Sequence, residues 1–444
     1  MLFRPEQFFE PPFGAVFLSS RHMQFKNIIG QELVKQQLAE MVNQNRLSHA
    51  LLFLGKEGTG ALATALAFAQ YILCEKTGNK SQDSNLNQDP SLFGNEPSVL
   101  TPDLPTGQAG SRLLTPDLLS DSCGVCSSCQ KAQQLIHPDI HFTYPVITKK
   151  PGTAPISTDY ITEWREFIKQ YVYGNVYDWL QFIGAENKQG NITAAECNDI
   201  IRKLSLKSYE GDYKILVLWM PEYLEKEGNK LLKLIEEPPP DTLFILVAEN
   251  ESLILPTILS RCQLIKIPML ETSDISKALV ERAKVSPEQA RQVASVSEGN
   301  YREALQVIQH ADEDWQALLR DWLNAILKTG PVAQVKWVEE TAKMGREKQK
   351  QFLRYFNHLL EMAIRLKVME GERMPGVDTG HGVEHDFATR LNKIAGIAQQ
   401  QAIIEELDKA TYYIERNANG KMLFQALTIK LYHIIADKSL ILTN

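Results

Sequence analysis

The sequence predicts an α/β domain built on a parallel, doubly wound sheet and followed by two all-helical domains. Three observations carry this reading. Short apolar runs bounded by turn residues recur at 51–54, 214–218 and 243–247, with helical patterns between them, which is the signature of buried parallel strands. A glycine-bearing turn joins the first run to a helix. Beyond Pro268 no strand pattern recurs, and the chain from Thr272 onward carries helical periodicity with loops at 285–287, 297–300, 329–331 and 371–384. The boundaries expected on this basis are an extension at 1–22, the α/β domain at 23–268, a small helical domain at 269–311 and a C-terminal helical domain at 312–444.

Bulk composition narrows the function classes. A net charge of −7 over 444 residues argues against a chain whose main role is to coat nucleic acid, because phosphate neutralisation needs a basic face. No apolar run approaches the roughly 18 residues needed to span a bilayer. Residues 1–22 also lack the apolar core and cleavage pattern of a secretory signal, so a cytoplasmic protein with no membrane partner is expected. Three of the six cysteines fall within seven residues, which suits metal ligands better than a disulfide framework.

Taken in order, residues 1–22 are rich in Phe and Pro without periodicity and read as a disordered extension, with Met1 and Met23 both candidate starts. From Asn27 to Ser48 apolar residues recur at helical spacing (Ile28, Leu33, Leu38, Met41, Val42, Leu47). Residues 51–64 then give a buried strand, a glycine turn and a helix start, the layout of a phosphate-binding P-loop. A working loop pairs its glycines with a Lys that reaches the phosphates and a Ser/Thr that holds Mg²⁺. Here Gly55, Gly58 and Gly60 are present, but Ala61 takes the Lys position and Leu62 the Ser/Thr position, while Lys56 sits at the entrance of the loop. Productive ATP binding is therefore not expected.

Residues 75–122 are polar, rich in Pro and Gly, and repeat the pentapeptide Leu-Thr-Pro-Asp-Leu at 100–104 and 114–118, so they read as a disordered insertion. Residues 145–156 form a further loop, and the aromatic helical stretch from 160 to 182 (Tyr160, Trp164, Phe167, Tyr171, Trp179) reads as core.

Three constellations bear chemistry. Cys123, Cys126 and Cys129 offer three thiolates at C-x2-C-x2-C spacing, and a closed tetrahedral zinc site needs a fourth ligand, for which Cys74 and His137 are the candidates. The strand at 214–218 ends in Trp219, Met220, Pro221 and Glu222, where an active nucleotide hydrolase needs carboxylates for Mg²⁺. After the third strand, Ala248, Glu249 and Asn250 could place a sensing polar side chain. Arg261, between Ser260 and Cys262, is either a salt-bridge partner or an arginine finger that reaches a neighbouring subunit's γ-phosphate.

The run from Asn229 through Glu236, Glu237, Pro238 and Pro239 to Ser260, Arg261 and Cys262, together with the cysteine knuckle and His137-Pro138-Asp139, resembles the AAA+ subunits of the bacterial DNA polymerase III clamp loader. The resemblance covers about residues 24–310, with a weaker echo at 417–423. Within the family, the gamma/tau motors keep an intact P-loop and acidic strand end, whereas the delta-prime branch has lost them, as here. The resemblance implies an AAA+ domain with an inserted zinc knuckle, a helical lid and a helical collar. It implies Cys74, Cys123, Cys126 and Cys129 as ligands of a structural zinc, Arg261 as a finger acting in trans, and Arg302 as a degenerate lid sensor. The implied role is a non-hydrolysing stator in a heteropentamer with gamma/tau and delta, acting indirectly on the sliding clamp and primed DNA during replication. Departures from the family pattern are the long insertion between Cys74 and Cys123 and the longer, more aromatic segment 145–205.

Two other readings compete. An active gamma/tau-like motor is opposed by Ala61, Leu62 and Trp219, and a zinc-knuckle DNA-binding protein with a vestigial ATPase domain is opposed by the acidic balance. Deleting residues 80–118 is expected to leave zinc content and the thermal midpoint unchanged; a large drop in the midpoint would show that the insertion is packed.

Overall fold

The computed structural model describes residues 24–77, 121–149, 151–185, 188–309, 315–371, 383–415 and 418–436. The extension expected at 1–22 and nearly all of the insertion expected at 75–122 lie outside the described residues. The chain divides into two compact units, Met1–Gln309 and His310–Asn444.

The first unit opens with α1 (Glu32–Asn43), β1 (Ala50–Leu54), α2 (Ala61–Leu73), α3 (Ser127–Gln133) and β2 (Ile140–Thr143). It continues through α4 (Ile161–Tyr171), α5 (Val176–Phe182), α6 (Ala194–Leu204), β3 (Lys214–Trp219), α7 (Leu232–Glu236), β4 (Thr242–Ala248), α8 (Pro256–Leu259) and β5 (Gln263–Lys266). Three helices close it: α9 (Thr272–Ala278), α10 (Pro287–Val296) and α11 (Tyr301–Gln309). The five strands form one parallel sheet in the order β2-β3-β4-β1-β5, with Leu52 opposite Leu246 and Leu216 opposite Phe244.

Successive side chains of a strand point to opposite faces. Leu51, Phe53, Ile215, Val217, Ile245 and Val247 therefore enter one core, and Ala50, Leu52, Leu216, Leu218, Phe244 and Leu246 enter the other. Both faces are covered, which is why β1, β3 and β4 read as unbroken apolar runs rather than as alternating ones. Helix α2 is buried along all thirteen of its residues, and its alanines at 61, 63, 65, 67 and 69 let it lie close to its neighbours. Ile275, Leu279, Ala290, Ala294 and Tyr301 from the last helices share the core of the first face.

The aromatic stretch is core, as its composition suggests. Trp164 stacks on Tyr144 with ring centres 4.0 Å apart and meets Trp179 edge-on at 5.4 Å, and both indoles are buried. The Trp179 Nε1–H donates to the Pro145 carbonyl at 2.7 Å, so the polar end of a buried indole is satisfied. Helix α6 has no counterpart in the sequence reading. Its start is nevertheless encoded, since the Thr193 hydroxyl accepts from the Glu196 amide at 3.3 Å as an N-cap.

The second unit comprises α12 (Trp315–Asn324), α13 (Pro331–Ala342), α14 (Arg346–Gly371), α15 (Val383–Ile394), α16 (Ile397–Glu415) and α17 (Gly420–Ile435). Its core is centred on Trp322 and Trp337, stacked 4.6 Å apart, with the Trp322 Nε1–H donating to Thr428 Oγ1 at 3.0 Å. No helix among the described residues is long and apolar enough to cross a membrane.

Trp164→Ala is expected to lower stability by about 3–5 kcal/mol, the usual cost of emptying a buried aromatic site. Chemical denaturation measures it. A loss below about 1 kcal/mol, within the range of ordinary surface changes, would show that the cluster does not support the sheet.

Candidate functional site

Three features converge on the α/β unit: a cysteine cluster, a P-loop and an arginine corner. The cluster forms where the C-terminus of α2 meets the turn leading into α3. Cys74 follows the last residue of α2, Cys126 caps α3, and Cys129 lies in its first turn, while Gly124 turns the chain between them at φ +70°. All four Sγ atoms lie within 4.8 Å of one another, and Cys123 Sγ is 3.9 Å from Cys129 Sγ. Four thiolates about 2.3 Å from a tetrahedral zinc lie roughly 3.8 Å apart, so the set fits a closed structural site.

Backbone amides already point at the sulfurs. Cys123 N–H donates to Cys74 Sγ at 3.3 Å, Cys126 N–H to Cys123 Sγ at 3.3 Å, and Cys129 N–H to Cys126 Sγ at 3.4 Å. Such donors stabilise thiolates and fix their orientation. For Cys123 burial acts upward, but hydrogen bonds from the Val125 and Cys126 backbones outweigh it and bring its pKa to about 7. Burial raises Cys126 and Cys129. Bound zinc would hold all four as thiolates and contribute folding free energy rather than catalysis.

His137 is spatially separate in its bonding. Its Nδ1 accepts from the Asp139 amide at 3.2 Å, and its Nε2 lies 2.9 Å from Ser128 Oγ and 3.3 Å from Glu210 Oε1. Asp139 accepts from the amides of Tyr209, Glu210 and Gly211. Burial alone would raise the Asp139 pKa, but these three bonds bring it below the usual carboxylate range. The His137-Pro138-Asp139 run thus pins the loop before β3.

The P-loop follows β1. Gly58 and Gly60 have φ of +73° and +84°, the left-handed region that favours glycine. Ala61 and Leu62, at the positions of the phosphate lysine and the magnesium hydroxyl, are buried and apolar. The space above the loop is a cavity of about 20 Å³, lined by Gly55, Gly58, Ala61, Tyr173, Trp219 and Glu249 among others. By that measure there is room for about one water. Arg302 is buried, donating from Nε and Nη2 to the two Asp178 oxygens at 2.5 and 2.6 Å and from Nη1 to Glu57 Oε1 at 2.8 Å. Glu57 belongs to the loop itself, and its other oxygen accepts from Asn175 Nδ2 at 2.9 Å.

At the end of β3, Trp219 packs on Trp164 at 5.3 Å and on Phe167 at 6.2 Å, so the strand end belongs to the aromatic core. Glu222 turns away from the loop: its Oε1 accepts from the amides of Glu249 and Asn250 at 2.7 and 2.9 Å, and burial raises its pKa despite them. Asn250 caps the short turn after β4 by accepting from the Ser252 amide at 3.0 Å.

Arg261 follows α8. Its Nη1 donates to the Thr257 carbonyl at 2.6 Å, and its Nη2 pairs with Glu236 at the end of α7. Its Nε has no hydrogen-bond partner among the described residues. Two segments that looked separate in sequence, the Glu-Glu-Pro-Pro run and the Ser-Arg-Cys corner, therefore touch.

The DNA polymerase III delta subunit family matches residues 30–90 and 111–271, together half of the chain. The chain belongs to that family. The delta' subunit of Bacillus subtilis is 24% identical over 277 residues, 62% of this chain and 59% of that protein. The delta' subunit of Haemophilus influenzae is 21% identical over 377 residues, 84% of this chain and 89% of its own. The tau subunit of Bacillus subtilis is 22% identical over 356 residues, 79% of this chain and 48% of that protein. The matches place this family member among clamp-loader subunits.

Among the sequence candidates, Cys74, Cys123, Cys126 and Cys129 come together, Gly55 to Leu62 form the loop, and Arg261 stands at a partly exposed corner. The sequence reading missed Tyr173, Asn175 and Asp178 at the loop. Only the Asn175-x-x-Asp178 capping box was available as a signal, and it announces a helix start rather than a contact.

Zinc analysis of two variants checks the ligand set. Cys74→Ser is expected to lose the metal and His137→Ala to keep it. The reverse result would put the histidine in the site.

Proposed function

We propose that this chain is a delta-prime-type subunit of a DNA polymerase III clamp loader that hydrolyses no ATP itself, acts as a stator, and lends Arg261 to the ATP site of a neighbouring motor subunit. The observation that carries the first part is the filled P-loop: Ala61 and Leu62 offer no phosphate or magnesium ligand, and Glu57, Asp178 and Arg302 occupy the loop's surroundings. A subunit with this loop can still serve an ATP-driven assembly by acting on another subunit's nucleotide. Its expected partners are gamma/tau and delta in a cytoplasmic hetero-oligomer, with the sliding clamp and primed DNA reached through that assembly. The four-cysteine cluster supports a structural zinc that fixes the end of α2 to α3.

The finger role rests on position and on how lightly Arg261 is held. Its side chain is 29% exposed and its partner Glu236 is 48% exposed. Exposed pairs contribute about 0–1 kcal/mol, so the Glu236 contact is weak, and the Thr257 carbonyl bond is the other tie that an engaged guanidinium gives up. The Glu236 contact also supports a second reading, in which Arg261 is an ion-pair residue of its own domain. Arg261→Ala separates the two. It is expected to change the stability of the isolated subunit by less than about 1 kcal/mol. Clamp- and DNA-stimulated ATPase at the adjoining site of a reconstituted loader is expected to fall, since fingers contribute about 10³ to 10⁵ in rate. Arg261→Lys is expected to rescue poorly, because an ammonium lacks the planar fork. An Ala variant that unfolds alone yet spares ATPase in any complex it joins would establish the ion-pair reading.

A further inference from the structure

The missing lysine explains why phosphate has no partner, but it does not explain why the loop is covered. Residues 172–178, the connection from α4 into α5, run directly over it. The Tyr173 ring lies so close to Gly60 that a Cβ added there would come within 2.7 Å of a ring carbon. The amides that open a P-loop helix are where phosphates dock, so the phenol ring stands in the way of an incoming polyphosphate. Its hydroxyl accepts from the Ile29 amide at 3.0 Å, and its ring meets Tyr301 edge-on at 5.1 Å, which ties the connection to both flanks of the loop. Asn175 and Asp178 complete the cover by bonding Glu57 and Arg302. On the other side, the Tyr301 amide donates to the Gly58 carbonyl at 3.2 Å, and Asn300 would collide with any side chain at Gly58.

We propose that residues 172–178 are an intramolecular occupant of the nucleotide site, a plug in which Tyr173 blocks the helix start and the Glu57 and Asp178 carboxylates take the place of phosphate as the anions bound by Arg302. The proposal rests on the reading of this P-loop as nucleotide-free and adds a cause for it that lies outside the P-loop motif. Among the described residues, the connection is held at both ends by buried contacts, and the aromatic core of α4 and α5 supports it from behind.

Mg-ATP binding by the full chain, measured by calorimetry on three forms with zinc content and circular dichroism as fold controls, tests this. The wild type is expected to bind nothing measurable, and so is Ala61→Lys/Leu62→Thr, which restores the motif beneath the plug. Adding Tyr173→Ala to that pair is expected to give binding at least about a hundredfold tighter, or roughly 2.7 kcal/mol. If the motif-restored pair binds ATP as well as the plug-opened form, or if the folded plug-opened form still binds nothing, the plug is overturned while the nucleotide-free reading of the wild type stands. Binding by the wild type would overturn both. Should the combined variant fail to fold, hydrogen exchange on Tyr173→Ala alone decides. Amides 58–62 are expected to exchange about tenfold faster with β4 unchanged, and unchanged exchange at 58–62 would refute the cover.

Discussion

The α/β unit depends on one guanidinium. Arg302, from the start of α11, is buried against Asp178 from α5 and Glu57 from the P-loop, residues 124 and 245 positions away in the chain. A buried cation is tolerated only when paired and hydrogen-bonded, and removing one partner of such a pair commonly costs about 3–5 kcal/mol. Three parts of the chain must therefore be in place at once: the glycine loop, the aromatic segment and the helices that follow the sheet. Here those parts are joined to one another by buried, charge-assisted bonds.

How much of this was legible in the sequence follows from how local each signal is. The sheet was legible because strands buried on both faces read as continuous apolar runs, and Lys214 to Leu218 and Leu243 to Val247 fall within β3 and β4. The knuckle was legible because thiolate spacing is a short-range pattern, although only the fold brings Cys74 across to it. Helix α6 escaped because its buried apolar positions, Cys197, Ile200 and Leu204, are few and lie in a segment to which the sequence reading assigned no element. The cover on the P-loop was illegible for a stronger reason. A Tyr, an Asn and an Asp in an aromatic stretch carry no mark of the loop they meet, and Arg302 gives no local sign that its partners lie far back in the chain.

The cysteine cluster and the His137-Pro138-Asp139 run have related roles. The cluster ties the end of α2 to α3, and Asp139, with three amide hydrogen bonds, ties the start of β2 to the loop before β3. Both hold connections that enter the sheet near its β2 edge, where a strand has a pairing partner on one side only. An edge that is pinned at its connections frays less and offers less to a foreign strand. The cysteine cluster and the carboxylate thus do by short-range bonding what the apolar faces do for the middle of the sheet.

The contact between Glu236 and Arg261 has a further consequence, for how the corner behaves in solution. A guanidinium left bare on a surface pairs with whatever anion diffuses past, nucleic-acid phosphates included. Parked on a carboxylate of its own chain, it gives way only to an anion that outbids one half-exposed Glu236, and a polyphosphate with several charges at fixed positions can do so where a lone chloride or a single carboxylate does not. The pair therefore sets what any competing anion must displace before it reaches the arginine. The resting pair is partly exposed and therefore screened by salt, so rising ionic strength loosens Arg261 from Glu236 even before any competing anion arrives.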